Sequence, residues 1–508
     1  MTNLYELIHR RVEAAPERVA IESPVGEVLD GVALTYGDLD ERCARLAARL
    51  SRLGVGRGDR VAAQIEKSVT NALLYLACLR LGAVYLPLNT AYTEGELAYF
   101  FGDAEPALIV CDPARRAATL ALGGAAHVAT LDAAGAGDLV EGLEGEAPHG
   151  AIAAVADDDL AALLYTSGTT GRSKGAMLTH GNLASTALTL VDAWGFSDAD
   201  VLLHVLPLYH VHGLFVAFNT VLLAGGRLLF LTRFDAARAL ELLPRATVMM
   251  GVPTYYTRLL AQDGLSAARC AGVRLFVSGS APLLEDTFLQ FEARTGQRIL
   301  ERYGMTETGM STSNPLCGER RPGTVGLPLP GVEVRVADEA GRVLGPGEIG
   351  VLEVRGPNVF KGYWRMPEKT ALEFRKDGFF VTGDLARIGA DGYVAIVGRA
   401  KDLIISGGLN VYPKEVESVI DDLPGVVESA VIGLPHPDFG EAVSAVVVLA
   451  PGAEVDEAAV IAAVRERLAS FKVPKRVWLA PSLPRNAMGK VQKNALREQH
   501  QDAFAAPR

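Results

Sequence analysis

The feature that most constrains the fold is a strand-like run that passes directly into a glycine-rich loop and then a helix-like segment. The apolar run LAALLY, residues 160–165, has the length and composition of a buried strand. It continues into YTSGTTGRSKG, residues 165–175, and NLASTALTLVDAW follows with helical character up to Gly195. This order predicts an α/β domain whose loop wraps phosphate oxygens with backbone N–H groups and hydroxyls.

The loop differs from a P-loop in its spacing. A P-loop ends in a Gly-Lys-Ser/Thr triplet, whereas here Lys174 is followed by Gly175. Arg172 and Lys174 add positive charge, and the glycines allow close approach of the backbone. The alternative is a solvated turn between a strand and a helix.

The rest of the chain predicts a large α/β region followed by two smaller parts. The chain has 508 residues with 49% hydrophobic residues, enough for about three units with buried cores. Short apolar runs alternate with helical segments up to Val325, which predicts stacked parallel sheets with helices on their faces. We predict a large N-terminal domain over 1–398, with a β-rich subdomain over about 326–398, and a small mobile α+β domain over 399–508.

Several local elements are also predicted. Helices are expected over about Tyr36–Leu53 and Thr70–Gly82. Residues 113–150 are rich in Ala, Gly and acids, so we expect a variable surface segment there. The apolar window Gly213–Leu231 is interrupted by polar residues and glycines, and this indicates buried core rather than a membrane span.

Charge and cysteine content narrow the function classes. The net charge of −11 argues against a nucleic-acid-binding protein, which would need a basic face. The five cysteines are far apart and never form CxxC, so we expect reduced thiols and a cytoplasmic protein. The N-terminal segment has no apolar core of a signal peptide.

The loop sequence TSGTTGRSKG resembles the phosphate loop of the adenylate-forming enzymes, which include acyl-CoA synthetases, nonribosomal-peptide adenylation domains and luciferases. Other signatures of that superfamily follow in order, and the resemblance covers nearly the whole chain. They are AVYLPLN at 83–89, YGMTE at 303–307, GYW at 362–364, TGD at 382–384, GRAKD at 398–402 and PRNAMGK at 484–490. The resemblance implies that a carboxylate attacks the α-phosphate of ATP to give an acyl-adenylate and pyrophosphate, after which a thiol displaces AMP.

The resemblance also implies which residues bind ATP. The residues implied to hold the β- and γ-phosphates are Thr166, Ser167, Gly168, Thr169, Thr170 and Lys174. Glu307 would hold Mg²⁺, and Thr306 would contact the α-phosphate. Tyr303 would stack on adenine, whose other side would face the turn formed by Gly279, Ser280, Ala281 and Pro282.

Further roles fall near the C-terminus. By resemblance, Asp384 would bind the ribose hydroxyls with help from Arg399, and Lys490 would neutralise charge between the carboxylate and the α-phosphate. Lys401 would be the hinge of the small domain, and Gly407 and Gly408 would line the pantetheine path. Taken singly, Asp384 could be a turn residue and Lys490 a surface lysine. We expect coenzyme A as the acceptor thiol, with a separate carrier protein as the alternative.

Arg302 bears on the choice of acid, because it precedes the tyrosine implied to stack on adenine. A guanidinium in a dry pocket needs an anion, and a carboxylate that bonds it bidentately is the best partner. Arg302 therefore predicts a second carboxylate on the substrate, with Ser278 as a weaker contact. The alternative is that Arg302 pairs with Glu301 or another acid and faces away. His210 matches a histidine at the mouth of the acyl pocket, and its HxH spacing with His212 lacks the further ligands of a metal site.

Longer stretches are similar to malonyl-CoA synthetases, among them LPLYHVHGLFVAFN, GVPTYYTRLL and GPNVFKGYWRMPEKT. This similarity implies malonate as the substrate and methylmalonate as a second one. Three alternatives stay open at this point: an acyl-CoA synthetase for a short or medium monocarboxylic acid, an amino-acid-activating enzyme, and a nucleotide sensor without catalysis. The cation at Arg302 argues against an amino acid, and the presence of Glu307 and Lys490 argues against a sensor. The sequence leaves the oligomeric state open.

Overall fold

The computed structural model describes residues 3–25, 31–124, 126–166, 173–406, 409–437, 439–486 and 489–504. They fall into two compact units. The first contains Met1–Val334 and Val354–Phe380, and the second contains Arg335–Glu353 and Val381–Arg508.

The strands are short, and most are buried. In chain order they are β1 (Val19–Glu22), β2 (Ala33–Thr35), β3 (Arg60–Gln64), β4 (Val84–Pro87), β5 (Leu108–Cys111), β6 (His127–Thr130), β7 (Leu160–Thr166), β8 (Lys174–Thr179), β9 (Val201–His204), β10 (Arg227–Phe230), β11 (Val248–Gly251), β12 (Leu275–Ser278), β13 (Ile299–Tyr303), β14 (Thr312–Ser313), β15 (Leu327–Pro328), β16 (Glu333–Ala337), β17 (Gly350–Arg355), β18 (Phe380–Ile388), β19 (Val394–Arg399), β20 (Ile404–Ser406), β21 (Leu409–Val411), β22 (Val426–His436), β23 (Gly440–Leu449) and β24 (Arg476–Leu479).

The helices alternate with these strands. They are α1 (Leu4–Ala14), α2 (Tyr36–Arg52), α3 (Val69–Leu81), α4 (Glu94–Ala104), α5 (Arg116–Leu122), α6 (His180–Ala193), α7 (Asn219–Ala224), α8 (Ala236–Leu242), α9 (Pro253–Leu260), α10 (Ala267–Cys270), α11 (Glu285–Thr295), α12 (Pro367–Glu373), α13 (Pro413–Asp421), α14 (Glu457–Arg467) and α15 (Lys493–His500). A π-helical segment, His212–Phe218, precedes α7.

Two large sheets organise the first unit. One runs in the order β6-β5-β3-β4-β7-β8, and the other in the order β15-β14-β13-β12-β11-β9-β10-β1-β2. The central strands β10, β9, β11, β12 and β13 are parallel neighbours. Their carboxyl ends therefore lie along one edge of the sheet, where α/β proteins bind their ligands.

Helix α3 shows how much apolar surface the first unit buries. Nearly every residue of this helix is buried, so it has no solvent-facing polar stripe. Helix α6 follows β8 without a linker because Thr179 and Asn182 form a capping box at its first turn. The α/β class predicted from the sequence is confirmed by this arrangement.

The second unit has a separate core. Strands β21-β20-β23-β22 form a sheet, β24 pairs with β23, and α13 and α14 pack on it through buried valine and isoleucine side chains. A four-stranded sheet, β16-β17-β18-β19, lies mostly in this unit. The compact units thus divide the chain elsewhere than at residues 398 and 399. The two units are defined by the contacts within each of them and carry no information on domain movement. The predicted hinge and the predicted domain boundary therefore stay predictions.

Local predictions compare closely with the observed elements. Helices α2 and α3 match the two predicted N-terminal helices within one residue at each end. Pro413 opens α13, a position that proline favours. The segment 113–150, expected to be a variable surface segment, contains α5 and the edge strand β6. The apolar window after Gly213 forms the buried π-helical segment, α7 and β10. Among the described residues, no helix combines the length and apolar character needed to cross a bilayer.

The core of the second unit gives a stability prediction. Ile420 on α13 is fully buried among Val431, Val443 and Val464. Replacing it with alanine leaves a cavity, so we expect the opening free energy of this unit to fall by about 2–4 kcal/mol. Hydrogen exchange of the β22 and β23 amides in the full chain measures that change. Leu479→Ala, at an exposed position, is the matched control, and an equal effect of both substitutions would contradict the packing argument.

Candidate active site

The predicted acyl-binding residues gather at the carboxyl ends of four neighbouring parallel strands. Strands β9, β11, β12 and β13 end at His204, Gly251, Ser278 and Tyr303. Ser278 and Arg302 lie at the ends of β12 and β13, and His210 lies in the loop after β9. This placement follows from the parallel register, since carboxyl ends of parallel strands meet at one edge.

Arg302, near the end of β13, is a buried cation, with 5% of its surface exposed. Its Nε and Nη2 atoms have no hydrogen-bond partner. Burial lowers the pKa of Arg302 to about 9, against the opposing effects of Tyr256 and Glu301, so the guanidinium remains charged at neutral pH. The described part of the chain thus holds a desolvated charge with unused donors, which is costly unless an anion binds there.

The alternative of an Arg302–Glu301 pair is not what the structure shows. Adjacent strand residues point to opposite faces, and the Oε1 atom of Glu301 accepts a hydrogen bond from the Leu283 N–H at 3.0 Å. The register of β12 and β13 pairs Ser278 with Glu301, so Ser278 shares the Glu301 face. Ser278 is buried and its hydroxyl has no partner, but this register does not bring it to Arg302.

Gly279 lies directly against the Arg302 guanidinium. A Cβ atom at position 279 would lie 2.5 Å from the Arg302 Cζ atom and 2.6 Å from its Nε atom. The absence of a side chain is therefore what makes room for the guanidinium. Sequence reasoning assigned Gly279 to the adenine site and missed this contact, because the pairing of β12 with β13 is needed to see it.

The turn after Gly279 is strained and meets the histidine loop. Ser280 has a φ of 71°, a left-handed conformation unusual for a residue with a side chain, and its hydroxyl lies 3.2 Å from His212 Nδ1. The backbone N–H of His212 donates to His210 Nδ1 at 3.1 Å. Ala281 and Pro282 complete this turn, with Pro282 exposed.

Both histidines are neutral at physiological pH. Burial, and then the charge of Arg302, lower the pKa of His210 to about 4. The same two causes hold the pKa of His212 well below its ordinary value. The charge of Arg302 thus acts on both imidazoles, which themselves add dipoles without adding charge.

The predicted nucleotide residues of the first unit lie on β7, β13 and the helical turn Thr306–Thr308. Tyr303 is half-buried at the end of β13, and Thr306 opens the turn that contains Glu307. The Thr166 hydroxyl donates to the Glu307 carboxylate at 3.2 Å. The predicted contacts Ser167, Gly168, Thr169 and Thr170 lie outside the described residues, as do Gly407 and Gly408.

A network that the sequence did not reveal surrounds Glu307. The Tyr363 hydroxyl lies 3.1 Å from Glu307 Oε1 and 2.8 Å from Glu373 Oε2. Lys174 Nζ lies 3.1 Å from Glu373 Oε1 and 4.1 Å from the centre of the Tyr363 ring. GYW marked Tyr363 only as part of a motif, and no sequence signal marked Glu373.

The donor set around Glu307 fits a hard divalent cation. A carboxylate and a hydroxyl oxygen, from Glu307 and Thr166, are the atoms that Mg²⁺ prefers. When bound, Mg²⁺ neutralises negative charge on a triphosphate.

The second unit contributes a further charged cluster. Asp384 on β18 and Arg399 on β19 stand opposite each other, and Arg399 Nε lies 2.6 Å from the Asp384 carboxylate. Lys490 is half-buried near this pair. The Asn486 N–H donates to the Lys490 carbonyl at 3.0 Å, and the Lys490 N–H donates to Asn486 Oδ1 at 3.0 Å. Burial and then the charge of Arg399 lower the pKa of Lys490 to about 8, with Asp384 opposing. Lys401, the predicted hinge, lies in a helical turn after Arg399.

Comparison with known proteins gives consistent matches along the chain. The AMP-binding enzyme family matches residues 8–364, and the AMP-binding enzyme C-terminal domain matches residues 415–490. The crystal structure of ATP-bound MatB from Rhodopseudomonas palustris is 56% identical, with a TM-score of 0.95, and the match covers 98% of this chain and 99% of that one.

Curated relatives include more than one acid specificity. A feruloyl-CoA synthase from an Amycolatopsis species is 37% identical over 501 residues, which cover 96% of this chain and 97% of the relative. A malonate–CoA ligase from Arabidopsis thaliana is 35% identical over 533 residues, which cover 95% of this chain and 86% of the relative.

The surroundings of Lys490 predict an unusually reactive amine. The neutral form of a lysine is the nucleophile, and for Lys490 it becomes populated as the pH rises through about 8. We expect trace labelling with acetic anhydride, read by mass spectrometry, to give a midpoint near pH 8 for Lys490. Exposed Lys376 serves as the internal reference. A Lys490 midpoint above about pH 10, the ordinary range of lysine, would contradict the buried environment.

Proposed function

Because the chain belongs to the AMP-binding enzyme family and is a carboxylate–CoA ligase, we propose that the acid it activates is malonate, with methylmalonate as a second substrate. The reaction uses ATP to form an acyl-adenylate and pyrophosphate. In the proposal, coenzyme A then displaces AMP to give malonyl-CoA. The observation that carries the proposal is the buried Arg302 guanidinium with unpartnered Nε and Nη2 atoms.

Arg302 supports a dicarboxylic acid for an electrostatic reason. One carboxylate of the substrate reacts with ATP, so it cannot also neutralise a cation elsewhere in the pocket. A second carboxylate would pair with the guanidinium and use both unpartnered nitrogens in the fork geometry that arginine favours. A monoacid would leave the charge buried and unpaired, which a site of this kind rejects strongly.

The position of Arg302 supports a short dicarboxylic acid. Arg302 is adjacent to Tyr303, proposed to bind adenine, and it lies four residues before Thr306, proposed to contact the α-phosphate. Strand residues are spaced by about 3.3 Å, so the guanidinium belongs to the part of the site nearest the nucleotide. A single carbon between the two carboxylates suits that separation better than a long chain does.

Other side chains have proposed roles around this core. Glu307 with Thr166 would hold Mg²⁺, Thr306 would contact the α-phosphate, and His210 would close the mouth of the acyl pocket. In the second unit, Asp384 would accept hydrogen bonds from the ribose and Lys490 would place a cation on the reacting carboxylate. Electrostatic stabilisation by fixed groups of this kind is the main source of catalysis in phosphoryl chemistry.

The second candidate is a CoA ligase for a monocarboxylic acid. The similarity to a feruloyl-CoA synthase favours it, since that relative covers nearly the whole chain. An aromatic acid would place apolar surface against the Arg302 guanidinium and leave its donors unsatisfied. The two candidate functions therefore differ in which group of the substrate contacts the Arg302 guanidinium: a carboxylate or an apolar surface.

Substrate preference tests the proposal directly. Pyrophosphate release and thioester formation are measured with malonate, methylmalonate, acetate, benzoate and ferulate. We expect kcat/KM for malonate to exceed that for acetate by about 10⁴-fold, as found for sites built around a polar substrate group. Arg302→Gln should lower kcat/KM for malonate by about 10²- to 10⁴-fold, the cost of unpairing a buried charge. The same substitution should change kcat/KM for acetate by less than about tenfold.

The matched control is Arg298→Gln, an exposed arginine paired with Glu292 just before the same strand. An exposed ion pair contributes little, so this variant should keep the malonate preference. If ferulate or another monoacid is the best substrate of the wild-type enzyme, the proposed substrate is wrong and Arg302 needs another explanation.

Gly279 should influence specificity through Arg302. An alanine Cβ would overlap the guanidinium, and relieving such a clash costs about 1–3 kcal/mol, or about 5- to 150-fold in kcat/KM for malonate. We expect Gly279→Ala to cause that loss in the wild-type background and little further loss in the Arg302→Ala background, where no side chain reaches the new Cβ atom. A double-mutant cycle measures this coupling. Equal losses in both backgrounds would show that the alanine disrupts the turn itself.

A further inference from the structure

Lys174 is already fully engaged within the protein. Only 7% of the residue is exposed. Its ammonium nitrogen lies 3.1 Å from a Glu373 carboxylate oxygen and 4.1 Å from the centre of the Tyr363 ring. A carboxylate and an aromatic face are both good partners for an ammonium group. The sequence predicts that Lys174 contacts the phosphates. For that contact, the ammonium group would have to leave both the Glu373 carboxylate and the Tyr363 ring.

The backbone holds these partners in place. Trp364 N–H donates to the Gly175 carbonyl at 2.7 Å, and Met177 N–H donates to the Gly362 carbonyl at 2.9 Å. The segment around Tyr363 therefore runs beside β8, which begins at Lys174. Glu373 closes helix α12, whose Thr370 hydroxyl accepts a hydrogen bond from the Tyr363 N–H at 2.9 Å.

The Tyr363 hydroxyl links two carboxylates with a single proton. It lies 3.1 Å from Glu307 and 2.8 Å from Glu373, and a phenol can donate to only one of them at a time. Two ammonium groups already neutralise Glu373, because Lys369 Nζ lies 2.8 Å from the same oxygen that Lys174 contacts. The two ammonium charges weaken Glu373 as a hydrogen-bond acceptor. The phenol can therefore donate to Glu307 even though its oxygen lies closer to Glu373.

We propose that Lys174 is the counter-ion of Glu373 and that this pair positions Glu307 through Tyr363, so that Lys174 is a positioning residue rather than a phosphate ligand. The proposal depends on the use of ATP by this family and not on which acid is activated. Lys174 keeps Glu373 from taking the phenol proton. Glu373 in turn keeps the buried ammonium away from Glu307, the carboxylate proposed to hold Mg²⁺.

The two single substitutions should therefore be harmful for opposite reasons. In Lys174→Met, Glu373 loses its buried cation and competes with Glu307 for the Tyr363 proton. In Glu373→Gln, the buried ammonium has no carboxylate of its own and turns to Glu307. The double variant removes both charges, and removing a whole buried pair is far less harmful than removing one member.

Nucleotide binding separates positioning from phosphate contact. Calorimetry would give the Kd values of ATP and AMP in EDTA, and the free Mg²⁺ concentration that half-saturates ATP binding. Each single variant should need about tenfold more Mg²⁺, or more, and the double variant should return to within about threefold of wild type. In EDTA, the ratio of the ATP and AMP Kd values should stay within about threefold of wild type in Lys174→Met and in the double variant, because no contact to the β- or γ-phosphate is lost.

Two further variants test the second cation on Glu373 and the Tyr363 link. Lys369→Met removes the second, half-buried cation from the same carboxylate. It should raise the Mg²⁺ requirement less than Lys174→Met does, because water partly solvates that side of Glu373. Tyr363→Phe removes the link, so adding Lys174→Met alone, or Lys174→Met together with Glu373→Gln, should have no further effect on that requirement. This comparison still reports on the link if Lys174→Met alone fails to fold.

Either of two results would overturn the proposal. If the double variant binds ATP in EDTA as weakly as Lys174→Met, with AMP binding intact, then Lys174 contacts the phosphates. A double variant that stays as Mg²⁺-demanding as either single variant would also overturn it. Neither outcome depends on malonate, so failure of the proposed substrate leaves this test intact.

Discussion

A buried guanidinium without an anion of its own is the constraint on which the acyl end of the site depends. Arg302 could have been neutralised by Glu301, its neighbour in sequence, but strand alternation places the two side chains on opposite faces. Gly279 gives the guanidinium room, and the adjacent histidines are neutral because burial and Arg302 itself lower their pKa values. Within the described residues, Arg302 thus keeps a buried charge whose Nε and Nη2 atoms have no partner, and we propose that the substrate supplies the anion.

In the part of the first unit that is predicted to bind phosphates, the buried cation is neutralised by a carboxylate of the protein itself. Lys174 is nearly as buried as Arg302, yet it has a carboxylate at 3.1 Å and an aromatic face beside it. A cation with its own carboxylate is satisfied before any ligand arrives, whereas one without such a partner adds its charge to the binding of an anion. The contrast between these two residues separates a structural cation from a ligand-binding one more clearly than their sequence motifs do.

Much of this arrangement could be predicted from sequence, and the failures have physical causes. The helices after Thr35 and Ser68 carry strong start signals, so their bounds were predicted closely. Strand β6 was missed because its edge position requires little apolar character. Arg302 could be selected from the sequence as a candidate because a cation in an apolar context is conspicuous. The sequence could not predict on which face of the sheet Ser278 lies or that Gly279 contacts Arg302, since both depend on the register of β12 with β13. Glu373 is distant in sequence from Lys174, and a lone glutamate carries no signal.

The strand register also separates the residues proposed to set acid specificity from those proposed to bind the nucleotide. Consecutive side chains of β13 lie on opposite faces of the sheet. Glu301 accepts a hydrogen bond from the Leu283 backbone, and Arg302 lies against Gly279. Tyr303 ends the strand before the Thr306 turn. A change of acid specificity can therefore be made at position 302 without moving the neighbours that fix the turn. Position 279 is more restricted, because any side chain there meets whatever large group occupies 302. A relative that accepts a bulky neutral acid would need a smaller residue at 302, and only then could it tolerate a side chain at 279.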